Sequence, residues 1–176
     1  MLSSSILRAF LFASGATAFC TAGPATANEQ EVIFNQFIDQ LYGKLDAAGA
    51  FNTYVSEKLV DASPDVTKKA DGNVDIGGII GRLSFIFGAA NVQEVKSART
   101  FKDGVGTSVA TGANKDPSAS QPLPKGGKIN IVDKYTFDGK CITKHEDERI
   151  CKLYDAAGKE TGFCPKPAGP HRRIKV

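Results

Sequence analysis

The chain has 176 residues, with 22 Lys and Arg against 19 Asp and Glu, for a net charge of +3. Basic and acidic side chains alternate along it instead of forming a stripe, which argues against a nucleic-acid surface. The basic tail His171-Arg172-Arg173-Ile174-Lys175 reads as a solvated terminus.

The first 27 residues have the pattern of a secretory signal peptide. Arg8 is their one charge, an apolar run spans Ala9 to Cys20, and Ala25-Thr26-Ala27 closes them as an A-x-A cleavage pattern before the first acid, Glu29. They are too short and interrupted for a stable membrane anchor. A Ser-rich, acid-free leader with an Arg also fits an organellar transit peptide, so the expected destination is secretion or, alternatively, an organelle lumen. The remainder reads as one domain over 28–155 with a Cys-containing tail over 156–176.

On that reading Cys20 leaves with the leader, and Cys141, Cys151 and Cys164 stay. There is no C-x-x-C pair and there are only two histidines, so no metal site is expected. On one continuous strand Cys141 and Cys151 would lie about 33 Å apart. Bridged Cα atoms need to be within about 7 Å. Of the pairs that remain, Cys151–Cys164 is the expected disulfide, clipping the turn Asp155 to Gly158 and holding the tail against the sheet, with Cys141 a free thiol. No Asn-x-Ser/Thr sequon is present.

Glu29 to Ala48 has helical spacing, with Phe34, Phe37, Ile38, Leu41 and Leu45 on one stripe and Gly49 at the C′ position. A second, shorter helix is predicted with Phe51, Tyr54, Val55 and Leu59 on one face, ending before Ser63-Pro64. Asp65 to Asn73 reads as a loop. Asp75 is a predicted N-cap for a third helix from Ile76 to Phe87, stopped by Gly88. Gly77, Gly78 and Gly81 weaken that helix by roughly 1 kcal/mol each, which suggests close packing there.

From Val92 the apolar period changes to two. Val95, Ser97, Arg99 and Phe101, the turn Lys102-Asp103-Gly104, and Val105, Thr107, Val109 and Thr111 read as a hairpin. The stretch GVGTSVATG lacks the third glycine of a dinucleotide loop and the lysine of a P-loop, and it lies between strands. Ala113 to Gly127 is a long Pro/Gly/Ser loop. A second hairpin, Lys128 to Ile150, turns at Asp138-Gly139. Ile129, Ile131, Asp133, Tyr135 and Phe137 share one face of it, a carboxylate among apolar neighbours. Helices first and antiparallel strands second signal α+β.

Leu123-Pro124-Lys125-Gly126-Gly127-Lys128, Val132 to Phe137 and Asp138-Gly139-Lys140-Cys141-Ile142 resemble motifs of the SnoaL-like polyketide cyclase family. That family lies within the superfamily of nuclear transport factor 2 and ketosteroid isomerase, and the likeness covers about Glu31 to Ile150. It implies three N-terminal helices packed in a curved antiparallel sheet, forming a cone-shaped barrel with an apolar pocket at its open end. Asp133 matches the isomerase's oxyanion-hole Asp, which burial keeps protonated. The isomerase's partner tyrosine falls near Phe37, which has no hydroxyl, and its general base falls near Asp61.

In the cyclases a carboxylate late in the last strand is the acid/base, and His145-Glu146-Asp147 is the nearest match. A regular hairpin puts Glu146 on Asp133's face and sends His145 and Asp147 outward; a single β-bulge reverses this. The bland reading of Lys144 to Arg149 is a solvated strand face of mixed charge.

The resemblance therefore implies a cofactor-free isomerase, cyclase or dehydratase with Asp133, Asp61 and Asp147 as catalytic candidates. Phe37, Leu41, Tyr54, Phe85, Tyr135 and Glu146 would contact a small apolar molecule. Two alternatives share the fold: a non-catalytic binder of such a molecule, and an interaction module that pairs with a second copy or another protein through the outer sheet face, where Val132, Thr136 and Thr143 lie.

Overall fold

The computed structural model describes residues 19–63, 66, 68–116, 127–155 and 157–163. Helix α1 (Ala27–Ile38) starts at a capping box: Thr26 accepts from the backbone N–H of Glu29, whose carboxylate accepts from Thr26 N–H. Phe34, Phe37, Ile38 and Leu41 are fully buried, as their spacing predicts. The stripe does not reach Leu45. A π-helical turn, Asp39–Gly43, ends the helix early, and Leu45 is 40% exposed at φ 55°. The wider turn adds one residue to the inward face, so that Leu41 and Tyr42 are both buried.

Helix α2 (Ala47–Tyr54) begins at Asp46, which accepts from Gly49 N–H, so Gly49 lies inside a helix instead of after one. Nor does the second helix extend to Leu59. The chain becomes strand β1 (Val55–Asp61), and Val55, Leu59 and Asp61 are buried as inward-facing residues. Val55 and Leu59, four apart, fit a helix stripe and an alternating strand equally well. Helix α3 (Ile76–Ala89) is capped by Asp75 as expected, and Lys115 Nζ donates to the carbonyls of Phe87 and Gly88 at its other end. Of the glycines of α3 only Gly78 is closely approached: a Cβ there would lie 2.6 Å from the capping Asp75 carboxylate, within the helix's own cap instead of against another element. A Cβ at Gly81 would meet nothing within 4 Å, and at Gly77 only the capping Asp75.

Strands β2 (Ala90–Glu94), β3 (Thr100–Lys102), β4 (Val105–Asn114), β5 (Gly127–Asp138), β6 (Cys141–Tyr154) and β7 (Glu160–Phe163) complete the described elements. Val95 to Ala98 is not the start of a strand as predicted: Lys96–Ala98 is a 3-10 turn. Arg99, just after it, reaches Glu94, Asn35 and Asp39 and so ties this corner to α1. Both predicted hairpin turns are present, with positive φ at Asp103, Gly104 and Gly139.

The sheet runs β1-β6-β5-β4-β2, with β3 also on β4 and β7 also on β6. It is mixed, since β1 pairs parallel with β6, and it is open instead of closed into a barrel. Its inner face holds the helices. Gly106 on β4 is required there, because a Cβ would sit 2.4 Å from the Phe34 ring.

The cysteines correct a further expectation. Cys141 is not free; it is bonded to Cys20, with Cα atoms 5.7 Å apart. Cys151 is also disulfide-bonded, while its expected partner Cys164 lies outside the described residues, as do Leu123 to Gly126.

Candidate functional site

The site is built where β5, β6 and β1 lie side by side. The β5–β6 register shifts between Thr136 and Phe137, which pair with Lys144 and Ile142, leaving Thr143 as the extra residue of a bulge. Beyond it, Tyr135 lies opposite His145, Asp133 opposite Asp147 and Ile131 opposite Arg149. The regular-hairpin assignment is thus reversed. His145 and Asp147 turn inward, and Glu146 turns out to pair with Lys144 Nζ at 3.0 Å.

Above these residues lies a cavity of about 270 Å³, lined by Asp61, Ser63, Asp133, Tyr135, His145, Asp147 and Arg149 at its polar end. Leu41, Phe51 and Val92 line its sides, and Ile79, Leu83 and Ile86 of α3 roof it. Of the expected ligand contacts, Leu41, Phe85 and Tyr135 line the cavity, with Phe85 62% exposed. Phe37 and Tyr54 pack edge-on to each other in the core behind it.

The polar end is one connected network. His145 Nδ1 lies 3.0 Å from Asp61 Oδ2, and Nε2 lies 3.2 Å from Asp133 Oδ1. The Tyr42 hydroxyl donates to the other Asp133 oxygen, and Ser63 N–H donates to Asp61 Oδ1 at 2.8 Å. The Tyr135 ring stacks on the imidazole, with centroids 4.9 Å apart.

Burial opposes charge on His145, but hydrogen bonds to Asp133 and Asp61 outweigh it and raise the pKa from 6.5 to about 9. At neutral pH the ring is therefore an imidazolium donating from both nitrogens. Burial alone would raise Asp61, yet the His145 and Ser63 hydrogen bonds hold it below the usual carboxylate value. Burial, and then the charge of Asp133, keep the Tyr42 and Tyr135 hydroxyls protonated well above pH 10.

Asp147 differs from the other carboxylates. Arg149 Nε donates to Oδ2, while Oδ1 is buried with no hydrogen-bond partner among the described residues. A buried carboxylate oxygen left unpaired is costly. Asp147 is part of the cavity wall, with its side chain 1% exposed.

The sequence pattern singles out Asp133, Asp61 and Asp147 at this end but not Tyr42, Ser63, Arg149 or His145, which a regular hairpin sends outward. The Tyr42 hydroxyl donates to Asp133, and the residue's place beside Leu41 is inward only because of the π-helical turn. Ser63 stands two residues past Asp61, the spacing at which an Asp side chain accepts from a backbone N–H, and here its N–H donates to Asp61 Oδ1.

No family model matches the chain, and no curated protein is similar to it in sequence. Among solved structures, AclR from Streptomyces galilaeus is similar with a TM-score of 0.53 and 12% identity, covering 70% of this chain and 80% of that one. At that identity the likeness is one of fold. A SnoaL-like polyketide cyclase from Agrobacterium tumefaciens str. C58 has a TM-score of 0.49 and 12% identity, covering 76% and 94%. An NTF2-like protein from Burkholderia xenovorans LB400 has 0.49 and 13%, covering 77% and 95%.

Proposed function

We propose that this chain, exported to an oxidising compartment, binds a small apolar molecule in the cavity and moves a proton on it without a cofactor. The reaction class is that of an isomerase, cyclase or dehydratase acting on carbon beside a carbonyl. The observation that carries this reading is the unpartnered Oδ1 of Asp147, directly across the strand pair from Asp133. Carbonyl-adjacent proton transfer needs a base at the carbon and charge stabilisation at the oxygen. Asp147 is the base. The positive charge of the His145 imidazolium, whose N–H groups are taken by Asp61 and Asp133, stabilises the developing charge on that oxygen, and Tyr42 holds Asp133 in place.

The test is solvent isotope exchange. A panel of apolar cyclic ketones is incubated in D2O and followed by NMR for deuterium uptake beside the carbonyl. Wild type is expected to catalyse exchange on at least one compound, and Asp147→Asn to slow it on the order of 100-fold or more. Exchange unchanged in Asp147→Asn removes the proposed base.

A second reading, a non-catalytic binder, is favoured by the fact that both His145 nitrogens and both Asp133 oxygens already have partners within the protein. A molecule found bound by native mass spectrometry, with no exchange on it, supports that reading. Sedimentation tests the homodimer that the resemblance implies.

A further inference from the structure

The segment 19–27, assigned to the leader by its Ala25-Thr26-Ala27 pattern, is built into the domain at several points. Cys20 is bonded to Cys141 at the head of β6, and its backbone N–H donates to Val55 O at 3.1 Å. Phe19 packs against the hydrophobic core. Gly23 O accepts from Lys140 N–H at 2.9 Å and lies so close to the β5–β6 turn that a Cβ on Gly139 would come within 2.0 Å of it. Thr26 is the N-cap of α1, and Ala27 is already in its first turn. Scission after Ala27 would remove the cap, the half-cystine and these contacts together.

The sequence holds a second A-x-A pattern upstream. Ala16-Thr17-Ala18 follows Arg8 and the run Ala9 to Gly15, which is long enough for the apolar region of a signal peptide. We propose that the processing site of this chain is the Ala18–Phe19 peptide bond, hydrolysed by a signal peptidase, so that Phe19 becomes the mature amino terminus. Water adds across that bond, leaving a carboxylate on Ala18 and an amino group on Phe19. The Cys20 and Cys141 thiols then lose two protons and give two electrons to a disulfide oxidant of the receiving compartment. The disulfide then ties the second residue of the new terminus to the end of the β5–β6 turn.

The test is to express the full chain in a secreting host and determine the first residue of the exported product by intact mass and amino-terminal sequencing. Phe19 is the expected first residue, and non-reduced peptide mapping should link the Cys20 and Cys141 peptides. Ala18→Tyr should block or displace the cut, whereas Ala27→Tyr should leave it unchanged. A product that begins at Asn28, at Met1 or at any other residue overturns the assignment, as does normal processing of Ala18→Tyr. The readout is independent of ligand or turnover, so its failure leaves the functional reading separately testable.

Discussion

At the residue scale the site is a buried cation held between two carboxylates, and such a cage depends on each partner. Removing the Tyr42 hydroxyl leaves one oxygen of Asp133, itself 3% exposed, without a donor. Tyr42→Phe is therefore expected to cost about 1–3 kcal/mol, read from the urea midpoint at constant slope. The pH dependence follows from His145. Its pKa is higher in the folded chain than its ordinary 6.5, so its contribution is complete below about pH 6.5 and is lost as pH rises through about 9. The contribution is on the order of 1–3 kcal/mol. Melting temperature should fall across that window in wild type, and His145→Gln should flatten the fall. An equal fall in both proteins would locate the effect elsewhere.

At the element scale the β5–β6 pair decides which side chains reach the cavity. A one-residue change of register exchanges the two faces of a strand. Deleting Thr143 makes the ladder regular and keeps Tyr135 opposite His145 and Asp133 opposite Asp147, so both side chains are expected to stay inward and ligand binding to survive; lost binding with an intact sheet would contradict this register. Native mass spectrometry and circular dichroism separate those outcomes. Gly106→Ala drives a methyl into the Phe34 ring and should destabilise by about 1–3 kcal/mol in thermal or urea unfolding.

Much of this layer was legible in the residues themselves. The Phe34-Phe37-Ile38-Leu41 stripe, the Asp75 cap and the two Gly-containing turns each have a local cause and appear as predicted. What escaped has causes far away in the chain. The bulge at Thr143 and the π-helical turn at Tyr42 are one-residue insertions that leave composition and period almost unchanged. Val55 to Asp61 is a strand because β6 offers it an edge, not because of its own pattern.

At the scale of the whole molecule, an apolar roof (α3), an open curled sheet and a polar floor enclose one cavity, and a long-range disulfide fastens the chain around it. Cys20 and Cys141 are 121 residues apart, so the bond closes a large loop. Cys20→Ser is expected to cost about 2–5 kcal/mol, measured as a lowered urea midpoint. The same bond fits an oxidising compartment, and no helix among the described residues is long and apolar enough to cross a membrane.

The floor of that cavity is where the account is most exposed to test, because His145 is one of only two histidines. Proton NMR of the imidazole across pH 5 to 10, with His145→Gln to assign the signal, reads its titration directly. A midpoint near 9 is expected in wild type, moving down toward 6.5 in Asp133→Asn. A wild-type midpoint at or below 6.5 would contradict this expectation.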